Sequence, residues 1–332
     1  MPGPLDGLLV LDFTNLLPGP LTTLMLRRAG ARVVKIERPG GDELRAYEPK
    51  LGADSVQFAL LNEGKEVLTL DLKSGDRDRL EPLLRSCDVL VEQFRPGVMD
   101  RLGLGYQAVR DVNPGVVYCS ITGYGASGPL AATAGHDLNY MAAAGLLSLT
   151  REPSLPPVLV ADIGGAAFPA VVQVLLALLG RQRTGEGSRV EVSMARSLFT
   201  WVPYQLGSGF LTGRWPEPGD GLTTGGSPRY NLYRAADGRF LAVAAIEDRF
   251  WKRLCELLEV DEDSDADTLA RVIGSRPSEE WRGLLEGEDT CANVVRTLEE
   301  AVADPQFRDL FDCLLPGQRI PALPLPLPGF DR

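Results

Sequence analysis

Histidine is nearly missing from this sequence: His136 is the only one in 332 residues. Any proton transfer near neutral pH that needs an imidazole must pass through it. A metal site built from several histidines of one chain is excluded. The five cysteines, Cys87, Cys119, Cys255, Cys291 and Cys313, are odd in number and scattered, with no CxxC pair. That argues against a disulfide framework and against a cysteine zinc site. No eighteen consecutive residues are apolar, and the opening MPGPLDGLLVLDF has no basic segment, so neither a membrane span nor a signal peptide is expected. The closing GFDR matches no prenylation or peroxisomal signal. Positive charge is also in deficit, 34 Lys+Arg against 45 Asp+Glu for a net −11. Such a chain has no broad electrostatic grip on nucleic acid or on an anionic membrane. A reduced, soluble, cytoplasmic protein is the expectation.

What is present is a long alternation of β-branched runs with helical patterns, the signature of βαβ units around a mostly parallel sheet. Strands are expected at 8–13, 32–37, 66–70, 89–92 and 115–121, with helices at 21–29 and 77–86 between them. The first strand-to-helix turn is TNLLPGP (14–20) and not G-x-G-x-x-G, so the usual dinucleotide phosphate loop is lacking. A helical stretch follows at 136–149, then an Asp-Ile-Gly-Gly turn that opens an apolar helix at 166–180. Glycine, proline and threonine accumulate over 207–226, a linker composition. Two aromatic alternating segments, 229–234 and 240–245, open a second unit. Seven acids fall within 256–267 and read as a solvated loop. The tail LLPGQRIPALPLPLPGF is too rich in proline for helix or central strand. The expected layout is a large α/β domain over 1–206, a linker over 207–226, a smaller α+β domain over 227–300 and a tail from 301 returning to the large domain.

Nine segments in order carry a family resemblance: LLPGP (16–20), AGARVVKIERPGGD (29–42), LNEGK (61–65), LDLKS (70–74), FRPGVMDRLGLGY (94–106), ITGYGASGP (121–129), GHDLNY (135–140), ADIGGA (161–166) and AIEDRFW (245–251). Together they resemble the class III coenzyme A transferase and racemase family, and GHDLNY points to its 2-methylacyl-CoA racemase branch. The resemblance implies a Rossmann-like large domain and a smaller one in an interlocked homodimer. It also implies acyl-CoA thioester substrates handled without metal, flavin or nicotinamide, coenzyme A being part of the substrate.

Racemising such a thioester removes the proton α to the carbonyl and returns one from the opposite face, so two bases must flank the enolate plane. The resemblance assigns these roles to His136 and Asp162. Glu247 is assigned as the acid that pairs with the histidine and selects its tautomer. Each residue also has a plainer local reading. A histidine opening a helix is commonly structural, an aspartate before Gly-Gly commonly an N-cap, and an acid at a helix start is favoured by the helix dipole. Coenzyme A brings phosphates and an adenine. Arg38, Lys73 and Arg95 each follow a strand, where open α/β sheets bind ligands, and Arg101 could join them. Leu72, Gln93 and Phe94 are expected to flank the adenine, and Gly123, Tyr124 and Gly125 to admit the thioester arm. Asp137 and Tyr140 complete the expected set, Asp137 with a possible part in fixing the loop. Where the family usually has Asn before Phe-Arg-Pro-Gly, this chain has Gln93.

A CoA transferase, in which the aspartate attacks an acyl-CoA to form a mixed anhydride, is the alternative enzyme. A non-catalytic acyl-CoA binder is the third reading. The GHD histidine, and the short GGSPRYN (225–231) where several transferases have a longer glycine-rich loop, favour the racemase.

Overall fold

The computed structural model describes residues 3–73 and 75–325. Leu9–Phe13 (β1), Arg32–Glu37 (β2), Glu66–Thr69 (β5), Val89–Glu92 (β6), Val117–Thr122 (β7) and Ser188–Ser193 (β8) form one sheet, ordered β5-β2-β1-β6-β7-β8 and parallel throughout. Lys50–Leu51 (β3) and Asp54–Ser55 (β4) make a separate short hairpin. The central strands are mostly apolar because both of their faces are covered, with Asp12 and Ser120 as buried polar exceptions. All of β1, β6 and β7 is buried. Strand order reverses at β1, whose neighbours are β2 on one side and β6 on the other. A crevice at the strand ends is expected at such a switch point.

A buried charge cluster fixes the loop after β1. Thr14 donates to Asp12 Oδ1 through its backbone N–H at 2.9 Å, and Thr23 Oγ1 donates to Asp12 Oδ2 at 2.6 Å. Lys65 Nζ donates to the same Oδ2 at 3.0 Å and to the Pro20 carbonyl at 2.9 Å. Lys35 Nζ donates to the Thr14 carbonyl at 2.7 Å and pairs with Asp42 at 3.0 Å. Burial alone would raise the Asp12 carboxyl, yet Lys65 and Lys35 hold it well below the usual carboxylate range. The buried charges are paired and hydrogen-bonded, which is the condition for tolerating them. They anchor both ends of the segment 14–20.

By compactness, one unit takes the described residues up to Ala144, Pro156–Trp201 and the described residues after Asp309. The other takes Gly145–Leu155 and Val202–Asp309. In the first, a continuous helical run begins as a π-helix over Val160–Ala167 and continues as an α-helix over Phe168–Thr184. The segment expected as a Gly-Gly turn is therefore helical. The helix expected over 136–149 is Asp137–Ala143, followed by a separate 3₁₀ turn at Leu146–Leu149. Leu323 and Leu325 of the tail pack against the cluster of Leu21, Leu24, Met25 and Phe58.

In the second unit Tyr230–Arg234 (β9), Phe240–Ala244 (β10) and Ala292–Val294 (β11) form an antiparallel sheet ordered β11-β10-β9. It packs on Trp251, Leu254 and Trp281. The stretch 207–226, read above as linker, begins inside the helix Pro203–Thr212.

Candidate active site

Two cavities of the first unit share Asn15 and Phe94 in their linings. The larger, about 840 Å³, is lined by Thr14, Asn15, Arg38, Leu72, Lys73, Phe94 and Arg101, among others. It lies past the ends of β1, β2, β5 and β6, where the reversed strand order opens the sheet. Cations and an apolar floor there suit an adenine nucleotide with phosphates. Arg38 is exposed and pairs with Glu43 at 3.2 Å. Glu37, also in the lining, is neutralised by a two-pronged contact from Arg45 at 2.9 and 3.0 Å. The wall between the cavities is fixed from two sides. Glu92 Oε2 accepts from the Phe94 N–H at 2.8 Å. Gln93 Oε1 accepts from the Gly19 N–H at 3.0 Å, while its Nε2 donates to the Asn15 carbonyl and side-chain oxygen at 2.7 and 2.8 Å. Burial pushes the Glu92 carboxyl up from its ordinary value.

The second cavity, about 430 Å³, brings His136 and Asp162 together with Gln93, Arg95, Gly123, Asn139 and Tyr140. His136 is exposed at the N-cap of Asp137–Ala143, and its backbone N–H donates to Asn139 Oδ1 at 3.0 Å. Asp162 is half-buried in the π-helical turn. Burial first, and the nearby Asp137 carboxylate second, push its carboxyl up to about 6, with His136 acting in the opposite direction. A carboxyl so placed exchanges a proton near neutral pH, where an ordinary aspartate would not. Burial also pushes the Tyr140 hydroxyl up to about 12. Its hydroxyl donates to the Gly135 carbonyl, and its ring meets Tyr124 edge-on at 5.0 Å.

The close contacts explain the glycines. A Cβ at Gly123 would lie 2.6 Å from the Tyr140 ring, so this position makes room for Tyr140. Gly125 has φ +106 and faces Arg196. A Cβ at Gly165 would lie 2.8 Å from the Met194 carbonyl, and one at Gly164 would lie 2.7 Å from Trp201. The pair after Asp162 is required for helix packing and not for a turn.

Of the expected residues, Arg38, Leu72, Lys73, Phe94 and Arg101 line the first cavity. Gln93, Phe94, Arg95, Gly123, His136, Tyr140 and Asp162 come together at the second. Tyr124 lines a shallower neighbouring depression. Asp137 lines neither cavity: it is buried, and its carboxylate faces backbone N–H groups. Glu247 lies in the second unit, exposed, where its carbonyl accepts from Phe250 and Trp251 at the start of Asp248–Leu258. Asn15, Asn139 and Met194 were missed from sequence, and the helical spacing of Asn139 from His136 was the available signal.

The description "CoA-transferase family III" matches residues 5–312. The chain belongs to that family. Similar relatives include an alpha-methylacyl-CoA racemase of Mus musculus, 34% identical with 99% of this chain and 87% of that protein covered. An acetyl-CoA:oxalate CoA-transferase of Acetobacter aceti is 32% identical, covering 99% of this chain and 90% of that protein. A crystal structure of a CAIB/BAIF family protein from Brucella suis superposes with a TM-score of 0.85 at 27% identity, covering 98% of this chain and 93% of that one. The relatives bear names of both reaction types, so the family alone leaves the choice between racemase and transferase to the site.

Proposed function

We propose that this family III enzyme interconverts (2R)- and (2S)-2-methylacyl-CoA thioesters by proton transfer through an enolate, with His136 and Asp162 as the two bases. The observation that supports this reading is their meeting in one cavity, where the Asp162 carboxyl is pushed up to about 6. In one direction Asp162 takes the α-proton and a protonated His136 returns one to the opposite face; the reverse direction exchanges the roles. A carboxyl pushed up to about 6 can both take and return the α-proton near neutral pH, as a reaction reversible between epimers needs.

The CoA nucleotide is assigned to the larger cavity, with Arg38, Lys73 and Arg101 at its phosphates, and no resident metal or redox cofactor is required. Glu247 is assigned to orienting His136. A homodimer is proposed as the active form. The transferase reading draws on the relatives named for that reaction and on the same Asp162, which would then attack the thioester carbonyl.

The experiment supplies a single epimer of a 2-methylacyl-CoA in deuterated water, with and without oxalate or glutarate as acceptor. α-Deuterium incorporation without acceptor is the expected result. CoA transfer that depends on the acceptor, with no α-exchange, overturns it in favour of the transferase.

A further inference from the structure

His136 and Asp162 stand on separate segments, and one side chain ties the two together. Asp137 follows His136 directly and is 5% exposed. Its Oδ1 accepts from the Ala161 N–H at 2.6 Å and from the Asp162 N–H at 3.0 Å, across 24 and 25 residues of chain. We propose that Asp137 is a positioning residue that fixes Asp162 relative to His136 and places a second carboxylate next to Asp162. This rests on the two-base reading of the cavity.

The two parts of the role are separable in chemistry. The hydrogen bonds need only an acceptor oxygen; the electrostatic effect needs a charge. Burial is the largest influence on Asp162, and the Asp137 carboxylate adds to it in the same direction, while His136 opposes it. The surrounding elements contribute other charged groups. Tyr140 and Arg95 line the same cavity. The segments packed against the π-helical turn include Met194–Ser197, which carries Arg196; Ser188–Ser193, which carries Arg189 and Glu191; and Pro18–Arg28, whose Arg27 and Arg28 pair with Glu63. Arg181 and Arg183 stand in the last turn of Phe168–Thr184, more than four turns beyond Asp162 in the same helical run. Among these groups Asp137 is the one whose carboxylate accepts from the Asp162 N–H, and it acts on Asp162 in the same direction as burial.

The test compares Asp137→Asn with Asp137→Ala. Asparagine keeps an acceptor for both N–H groups and removes the charge; alanine removes both. Carbodiimide and a glycine ester couple only to protonated carboxyls, so the pH dependence of labelling at Asp162, read by peptide mass spectrometry, gives its titration midpoint independently of turnover. Asp137→Asn is expected to lower that midpoint by about one pH unit. The acid limb of kcat/KM for α-deuterium exchange should move down with it. Asp137→Ala is expected to lower kcat at least about tenfold further, with KM for the thioester little changed. Asp137→Glu, which retains the charge one methylene further out, guards against poor folding of the other two: its midpoint should stay near that of the wild type while kcat falls. An unmoved midpoint in Asp137→Asn, or in a poorly folded case a lowered midpoint in Asp137→Glu, overturns the electrostatic part. Alanine no worse than asparagine overturns the positioning part. If the wild type shows no α-exchange but Asp137→Asn still lowers the midpoint, the racemase reading fails and the role of Asp137 stands.

Discussion

Asp162 ionises at some cost to the fold. Because burial and Asp137 push its carboxyl up to about 6, the folded chain binds that proton more tightly than the unfolded chain does. The linked stability is complete below the ordinary aspartate pKa of about 4 and is lost as pH rises through about 6. Asp162→Asn is therefore expected to unfold on the order of 2–4 °C higher than the wild type at pH 8, with the gain vanishing near pH 4. Calorimetry at both pH values checks this, and an unchanged or lower midpoint at pH 8 refutes it. Activity moves the other way. In the direction that uses Asp162 as base, kcat/KM should fall as pH drops through about 6, since the protonated carboxyl cannot accept the α-proton. His136→Ala should lose roughly 10²–10⁴-fold in epimerisation and still bind acyl-CoA, measured by calorimetric titration. No second histidine exists to replace it, so normal turnover in that variant refutes the two-base mechanism.

Segments, and not single side chains, hold the cavities open. The loop 14–20 and the Gln93–Pro96 segment face one another past the ends of β1 and β6, and Gln93 joins them through three hydrogen bonds. The amide longer than the family's usual asparagine reaches both Gly19 and Asn15. Gln93→Ala leaves these backbone groups to water or to nothing, at about 1–3 kcal/mol. Its expected effect is a rise of about tenfold in KM for the thioester with a smaller change in kcat, read by steady-state kinetics. An unchanged KM would separate this clamp from binding. The sheet was legible from sequence because buried parallel strands are rich in β-branched and other apolar residues: β2 and β6 fall within the residues expected for them. The π-helical turn was not legible, because Ala-Asp-Ile-Gly-Gly reads locally as a turn. Only the contacts of Gly164 with Trp201 and of Gly165 with Met194 reveal why glycine stands there. The cluster of Asp12, Lys35, Asp42 and Lys65 was equally hidden. Lys35, Asp42 and Lys65 lie in recognisable motifs, but Lys65 meets Asp12 across 53 residues, and local pattern carries no trace of such a pairing.

At the scale of the whole molecule, the helical run Val160–Thr184 presents two different faces. Ala170, Val174 and Leu178 are buried in the first unit, while Phe168, Val172, Leu176 and Leu179 are 38%, 55%, 62% and 56% exposed. The run is long and apolar enough to cross a membrane, the one such helix among the described residues. Yet its buried face is committed to the same unit as the parallel sheet, and its α-helical part packs against β7 and β8. An exposed apolar stripe of this kind marks a contact with another protein or with lipid. A second copy of this chain is the occupant that the family resemblance implies, and an interface repeated by symmetry needs only one such patch. Light scattering on the purified protein is expected to give twice the chain mass. Val172→Glu with Leu176→Glu places two charges on the stripe and should shift the species to monomer, with α-exchange lost in proportion. A monomeric wild type with full activity overturns the proposal, and retention of the wild type on vesicles without detergent assigns the stripe to lipid instead. If the doubly substituted chain stays dimeric, the stripe is not the contact. If it becomes monomeric and keeps full turnover, the active form is not a dimer and that part of the proposal falls.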